Sequence, residues 1–561
     1  MSRPPPTPGR DPARDKNELP ARWMPGRIVL VAMVLLALAA TWLHLVAINR
    51  TDPWYRNVDM NIHSMADALS FNSGVPPNQL DQPGVPTKFL LALHYRVLHF
   101  AGALPVWNLK KLDASPDPVR EIPGLIHALR LQSRAFLMVL LLAAGALAWS
   151  VSRKLAPACL AVLLLAGSPA IVFHGLLSRT EQLCVLCGGV LALFCTLQAT
   201  ASRRLDCRYL WLLLAGSLVG FAFLEKLLVV AYAAMCVGWC WLAALDAAPA
   251  AESDSAAGES LGYWWELLPA AAGLATLWLL FRLSPHHEEL GAVALARMRL
   301  AAVGVAVLPL LALWPGRGRL RGFCVARGRE LALLGAGGLA IFPLTYLVLQ
   351  TVLSESDAGN YLARVLSFAL NPGLQMALLA DSPHVGEVFV RHLRENAVMF
   401  TGATALSLAL LPVQAIPRRL KLLVALLCAT AFGLVALLSK RHFMIHYEIY
   451  YLMPLFLASA LALGAGFEQL AARRPWASGL VPATALVATG VILFGQPRAQ
   501  HFYANYQDDA KFPLNDLTVT FLFDHEAKTR AYLDLMARHY GDREGFRRAV
   551  DRFLADPANH F

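Results

Sequence analysis

Asp59 is the first residue of the chain whose type and position suit catalysis. It lies in the segment Thr51-Asp52-Pro53-Trp54-Tyr55-Arg56-Asn57-Val58-Asp59-Met60-Asn61, which directly follows the first long apolar stretch. A carboxylate at the boundary between membrane and water can deprotonate an acceptor hydroxyl beside the headgroup of a lipid-linked substrate. Taken alone, a single aspartate is more typical of a solvated loop or a helix cap.

A second segment, Ser178-Arg179-Thr180-Glu181-Gln182, lies between two apolar stretches. Arg179 can pair with a phosphate, and Glu181 can orient Asp59, an acceptor or a cation. Serine, threonine and glutamate also suit the first turn of a helix, so the same letters fit a plain helix start.

A third segment, Gly220-Phe221-Ala222-Phe223-Leu224-Glu225-Lys226, ends on a lysine beside an apolar stretch. Lys226 is a compact point charge that can bind a phosphate. Two structural readings fit equally well, because lysines at a membrane boundary often snorkel and because Glu225 can form a local ion pair.

A fourth segment, residues 440–454, combines cations and tyrosines before another apolar stretch. Arg441, His442 and His446 can bind a phosphate diester, and Tyr447 or Tyr450 can line a sugar site. An interfacial belt of aromatic and basic residues has the same composition and explains the tyrosines well.

The composition identifies a polytopic membrane protein. The 561 residues are 57% hydrophobic and 16% charged, against about 25% charged in soluble domains. The apolar residues fall in blocks of roughly 20, the length that spans a bilayer core. The net charge of +11 reflects topology signals, and no nucleic-acid-binding pattern is present, so we expect no nucleic-acid partner. All nine cysteines lie in or beside apolar blocks, which argues against a disulfide framework.

The apolar blocks predict an all-α fold with about thirteen transmembrane helices. Lysine and arginine concentrate in alternate short loops, which places the N-terminus in the cytoplasm and the C-terminus outside by the positive-inside rule. The predicted spans are 28–48, 131–152, 155–175, 182–200, 208–224, 226–246, 263–283, 298–314, 330–353, 397–415, 420–438, 449–466 and 478–495.

Under this topology, three longer segments share the outer face: 49–130, 354–396 and 496–561. The first contains Lys88 to Leu104, too charged to span and suited to a helix in the interface plane. Residues 1–27 are rich in proline and arginine and predict a disordered cytoplasmic tail. The outer tail 496–561 is amphipathic in its last part and too small to fold without docking on the rest.

The four segments, in this order and on one face, resemble the GT-C class of polyprenyl-phosphate-sugar-dependent glycosyltransferases. The nearest families are the lipid A aminoarabinose transferases and the protein O-mannosyltransferases. Asp59 matches the acidic residue after the first span, and Gln82-Pro83-Gly84 matches the following turn. Met60 stands where the class often has a second acidic residue, and Gln82 where it has a histidine. Both departures leave a metal requirement, and a divalent cation as cofactor, open.

The resemblance implies that residues 28–495 form a transmembrane catalytic domain with juxtamembrane helices on its outer face. Asp59 would act as general base in an inverting transfer from a polyprenyl-phosphate sugar to a lipid, glycan or protein acceptor. Glu181 would assist. The leaving phosphate and the sugar would be bound by Arg179, Lys226, Arg441, His442, His446 and Tyr447. Composition suggests a bacterium with a GC-rich genome, hence an inner-membrane protein among membrane lipids, a periplasmic site and an undecaprenyl carrier.

Two other functions fit part of the pattern. A flippase or transporter of lipid-linked glycans also has many spans, but it predicts ionisable residues deep within several of them. An O-antigen ligase or polymerase handles similar substrates on the same face. It is not expected to open with an acidic motif directly after the first span.

Overall fold

The computed structural model describes residues 24–51, 58–77, 84–202, 204–247, 264–308, 319–371, 402–409, 413, 416–438, 447–494, 538–539, 541 and 543–555. Within these ranges the chain is helical and contains no β-strand. The predicted all-α class is therefore confirmed for the described residues.

The helices of the first half lead from the first span to the site region. Up to residue 247 the described α-helices are α1 (Met24–Thr51), α2 (Val58–Phe71), α3 (Val85–Phe100), α4 (Leu109–Asp113), α5 (Pro118–Ser152), α6 (Leu155–Ala166), α7 (Pro169–Val172), α8 (Thr180–Cys184), α9 (Ala192–Ala201), α10 (Leu205–Phe223) and α11 (Val229–Ala247). A 3₁₀ turn at Phe173–Leu176 continues α7, and a π-helical stretch at Val185–Leu191 joins α8 to α9.

The helices of the second half complete the bundle. In chain order they are α12 (Trp264–Arg282), α13 (His287–Leu290), α14 (Ala292–Val307), α15 (Arg319–Gln350), α16 (Glu355–Leu370), α17 (Gly402–Ala409), α18 (Arg418–Leu438), α19 (Glu448–Arg473), α20 (Leu480–Leu493) and α21 (Arg543–Ala555).

Eight described helical stretches are long and apolar enough to cross a membrane, or up to ten if each of two bent helix pairs counts as one span. Each of the eight overlaps a predicted span. The protein is thus an all-helical membrane protein with eight to ten such stretches among the described residues, and the count of thirteen stays a prediction. The eight are Arg27–Arg50, Pro118–Ser152, Thr180–Ala201, Leu205–Phe223, Arg327–Gln350, Arg418–Leu438, Glu448–Arg473 and Trp476–Leu493.

The other predicted spans take less regular forms. The span expected at 155–175 is a pair of helices, Leu155–Ala166 and Pro169–Leu176, that meet at 75°. The break coincides with Pro169, which has no N–H to continue the helical hydrogen bonds. The span expected at 263–283 bends by 58° into the next helix, and that at 226–246 contains a shorter apolar helix, Val229–Ala243. The spans expected at 298–314 and 397–415 extend outside the described residues.

Helix α19 forms the centre of the larger hydrophobic core. Its side chains are buried without a break from Glu448 to Ala462. A helix that is buried on all sides lies in a protein interior and not at a surface. It packs against α5, α6, α17 and α18. This position brings the residue before its first turn, Tyr447, into the interior as well.

Helices α10 and α15 pack closely through small residues, which sets the position of the chain that follows α10. A Cβ atom at Gly216 would clash with the carbonyl oxygen of Leu334, and one at Gly337 would clash with that of Leu213. Glycine allows such backbone approach, a common device where membrane helices meet.

A second core joins the segment after the first span to the bundle. It combines α2, α3, the first half of α5, α16 and parts of α12 to α15. The amphipathic pattern predicted near the C-terminus forms α21, whose Ala549 belongs to this core. The residues from Asn61 to Asn72 are all buried, so α2 from Asn61 onward is enclosed by protein despite its polar sequence.

Candidate functional site

A buried ion pair stands at the centre of the candidate site. The Lys226 ammonium contacts Oε1 of Glu181, and the two side chains are 6% and 0% exposed. Glu181 lies in the first turn of α8, and Lys226 lies in the short turn between α10 and α11. These residues belong to the second and third segments singled out in the sequence. Helix packing alone brings them together.

Arg179 precedes α8 in an extended conformation and is buried. Arg179 and His174 lie close enough to Glu181 to interact with it electrostatically. The Glu181 carboxylate thus has cationic side chains on more than one side, an arrangement that holds the cations in place at low solvent exposure.

Tyr447 connects the fourth segment to this pair. The Lys226 ammonium nitrogen lies 4.6 Å from the centroid of the Tyr447 ring, a cation–π distance. Arg441, His442 and His446 belong to the same segment and lie outside the described residues.

The helix that carries Asp59 docks on the same site. Asp59 lies in the first turn of α2, and its side chain lies outside the described part of the structure. Two residues later, Oδ1 of Asn61 accepts a hydrogen bond of 2.9 Å from the backbone N–H of Ser178. The Ser64 hydroxyl donates to the carbonyl of Ser178 at 3.4 Å. These bonds hold the first half of α2 against Ser178, the residue before Arg179.

The turn before α3 meets the turn after α10. Gly84 adopts a left-handed conformation with φ of 49°, which suits glycine, and the N–H of Val85 donates to the carbonyl of Leu224 at 3.3 Å. The backbone N–H and the hydroxyl of Thr87 both donate to Oε1 of Glu225, at 2.6 and 2.9 Å. Glu225 therefore binds α3. The local ion pair with its neighbour Lys226, which the sequence had allowed, does not form.

Burial raises the pKa of Glu225 to about 8, and the Thr87 hydrogen bonds and the Lys88 charge counteract only part of this rise. The carboxyl group is thus half-protonated near pH 8 and can take up or release a proton at physiological pH. Its second oxygen has no hydrogen-bond partner among the described residues.

A second buried ion pair braces α2 against α3. The Lys88 ammonium lies 2.7 Å from Oδ2 of Asp67, and the two side chains are 0% and 2% exposed. The predicted interfacial segment that begins at Lys88 is helical, as α3, but its first lysine points into the protein.

Helices α5 and α16 close the site from two sides. On α5, Arg130 donates to Asn49 at 2.9 Å and Gln132 donates to the carbonyl of Thr87 at 3.5 Å. On α16, the buried Tyr361 lies near Asp67 and Glu225, and burial raises the pKa of its phenol well above the usual value. Several buried polar atoms have no partner among the described residues: Asn61 Nδ2, Thr180 Oγ1, Glu225 Oε2 and Tyr361 Oη. Such atoms can bind a polar ligand.

The described side chains contain no group of three or more His, Cys, Asp or Glu residues placed to hold a metal ion.

The structure brings Arg179, Glu181, Lys226 and Tyr447 together, and α2, the helix that carries Asp59, hydrogen-bonds to Ser178 beside them. Sequence reasoning missed Asp67, Lys88 and Glu225 as members of the site. For Asp67 a signal was available, because it stands between Ala66 and Ala68 and a charged residue among apolar neighbours in a membrane protein is rarely exposed to lipid. Their partners are not visible in the sequence.

The chain matches no protein-family model, no curated protein and no solved structure.

Proposed function

We propose that the protein is a membrane glycosyltransferase that moves a sugar from a polyprenyl-phosphate carrier to a hydroxyl or phosphate of an acceptor. One observation carries the proposal: the second, third and fourth segments meet at the buried Glu181–Lys226 pair at one end of the bundle, and the helix that carries Asp59 hydrogen-bonds to the second segment. This end holds carboxylates, cations and polar atoms in a site largely shielded from solvent.

The chemistry requires one base and several cations. Asp59 takes the proton of the acceptor hydroxyl, whose oxygen forms a bond to the anomeric carbon with inversion. The bond from that carbon to the phosphate oxygen breaks, and its electron pair stays on the leaving phosphate. Arg179 and Lys226, with Arg441, His442 and His446, stabilise the developing negative charge through charge-assisted hydrogen bonds.

We assign Glu181 a positioning role within this reaction. Its carboxylate contacts Lys226 and interacts with Arg179, so it sets the spacing of the two cations. Two cations around one carboxylate leave a net positive charge for a phosphate. We assign Tyr447, whose ring contacts the Lys226 ammonium, the role of an aromatic surface for the sugar.

The decisive test uses the full chain purified in detergent, a panel of polyprenyl-phosphate sugars and membrane extract as acceptor. Release of free polyprenyl phosphate is followed for the wild type, for Asp59→Asn and for Asp113→Asn. Asp113 is an exposed aspartate of the same outer segment and serves as the matched control. We expect release by the wild type and the control and near-complete loss in Asp59→Asn.

Equal release by Asp59→Asn would remove Asp59 from the chemistry. Transfer of a whole glycan in place of a single sugar would favour a ligase or polymerase. No release from any donor, combined with movement of a lipid-linked glycan across proteoliposomes, would favour a flippase.

A second test addresses the phosphate site. Lys226→Met removes a cation beside the leaving group, and we expect turnover to fall about 100-fold, as for the loss of one oxyanion-stabilising group. Thermal unfolding of the same sample shows whether the variant is folded. A folded variant with wild-type turnover would exclude Lys226 from phosphate stabilisation.

A further inference from the structure

A cavity of about 560 Å³ lies at the end of the bundle opposite the candidate site. Helix α19 connects the two ends, because Tyr447 precedes its first turn and Ala472 in its last turn lines the cavity. The helix between these residues rises roughly 37 Å. The volume lies within the range of sites for small molecules, about 300–1,000 Å³.

The mouth of the cavity is cationic. Arg153, Lys154 and Arg419 line it and are exposed, whereas Glu468 is the acidic residue among the described lining residues. Lys154 contacts Glu468 across the mouth. The remaining two cations have no such carboxylate among the lining residues, so the mouth has a net positive charge suited to an anion.

Arg419 is held in position by the wall of the cavity. Its guanidinium donates to the hydroxyl of Thr200 at 2.9 Å and lies 5.6 Å from the centroid of the Trp239 ring. The indole N–H of Trp239 donates to the same hydroxyl at 3.0 Å. An arginine that is oriented in advance loses little freedom when it binds a phosphate through two parallel hydrogen bonds.

The walls become apolar away from the mouth. Trp239, Leu423 and Leu461 line the cavity and are at most 1% exposed. Along α19 the lining extends from Leu461 to Ala472, which corresponds to roughly 16 Å of helix. The cavity therefore offers cations at its mouth and an apolar surface further inside, between helices of a membrane protein.

We propose that this cavity binds an anionic glycerophospholipid. The phosphate diester lies between Arg419 and Arg153, and the beginning of one acyl chain lies against Leu423 and Leu461. Basic pockets between membrane helices recognise anionic headgroups in this way. A water-soluble phosphate would use the cations and would gain nothing from the apolar walls. The site is separate from the proposed transferase site and does not depend on that proposal.

The test measures lipid binding to the full chain in detergent by native mass spectrometry, with thermal unfolding as a second readout. The probes are phosphatidylglycerol, phosphatidylcholine with the same acyl chains, and glycerol 3-phosphate. The variants are Arg419→Gln and Arg153→Gln, both with exposed side chains, and the matched control Arg473→Gln, an exposed cation at the same end that does not line the cavity.

We expect the wild type to bind phosphatidylglycerol about tenfold more tightly than phosphatidylcholine, and each of the two cavity variants to lose most of this preference. Arg473→Gln keeps it. Equal binding of the two lipids, or an unchanged preference in both cavity variants, would overturn the proposal. If glycerol 3-phosphate raises the unfolding temperature as much as phosphatidylglycerol at the same concentration, the ligand is a soluble phosphate and not a lipid.

Discussion

The variant Lys88→Met tests whether the buried pair between α2 and α3 holds the site together. In the wild type the ammonium of Lys88 lies 2.7 Å from the Asp67 carboxylate, and both side chains are almost fully buried. Methionine has a similar length and no charge. The substitution therefore leaves the carboxylate in an apolar environment without this partner, while the volume of the core changes little.

The expected loss follows from burial. Removing one member of a buried ion pair destabilises a protein by about 3–5 kcal/mol, because the remaining charge stays desolvated. The pair Arg120–Asp117 provides the matched control, since its side chains are 67% and 44% exposed and its atoms lie 3.3 Å apart. Exposed pairs contribute about 0–1 kcal/mol, so Arg120→Met changes stability little. The double variant Asp67→Leu/Lys88→Met removes both charges and regains much of the loss.

The assay is equilibrium unfolding of the purified protein in mixed micelles with a rising fraction of denaturing detergent, followed by circular dichroism. Lys88→Met, Asp67→Leu and the double variant form a cycle. Because the double variant is more stable than Lys88→Met, the coupling energy exceeds the loss in Asp67→Leu alone, and we expect about 3 kcal/mol or more. Two results would refute the reasoning: a Lys88→Met variant as stable as Arg120→Met, or losses from Asp67 and Lys88 that simply add.

Three further variants test other contacts. Glu225→Gln removes a carboxyl group whose pKa is raised by burial from the ordinary glutamate value of 4.5 to about 8. Between these two pH values the folded protein keeps a proton that the unfolded chain releases, so the stability of the wild type falls as the pH rises. The unfolding temperature of the variant falls less over the same pH range. If the unfolding temperatures of the wild type and the variant depended equally on pH, the assignment of this pKa to Glu225 would be contradicted. Gly216→Ala forces a clash with α15 and destabilises the protein by about 1–3 kcal/mol. The control Gly433→Ala has open space around the new methyl group and leaves the stability unchanged. Similar unfolding curves for the two variants would exclude close packing at Gly216. Asn61→Ala leaves the Ser178 N–H unpaired and lowers stability by about 1–3 kcal/mol in the same detergent titration; wild-type stability would show that this bond does not hold α2.

The positions of the charged segments along the chain were predictable from the sequence. Long apolar stretches need helical hydrogen bonding in a bilayer, so charged residues between them must lie at helix ends or in turns. This argument places Arg179 and Glu181 at the start of α8 and Lys226 in the turn after α10, as observed. It also predicts the helix that follows Tyr447, whose burial on all sides only the structure shows.

The partners of these residues were not predictable. Glu225 and Lys226 are neighbours, which suggests a local pair, yet Glu225 binds Thr87 and Lys226 binds Glu181. Successive side chains in a turn point in different directions, and each finds its partner on a different helix. The same holds for Asp67, whose lysine partner lies on the next helix.

The sequence by itself determined the helical class, the membrane environment and the places where charge enters an apolar chain, because these follow from hydropathy and spacing. Only the tertiary structure decided which charges share a site and which cavity Arg419 faces. The physical reason is that an ion pair or a cavity depends on the distance between side chains on different helices. That distance is set by close packing, such as the glycine contacts of α10 and α15, and not by separation along the chain.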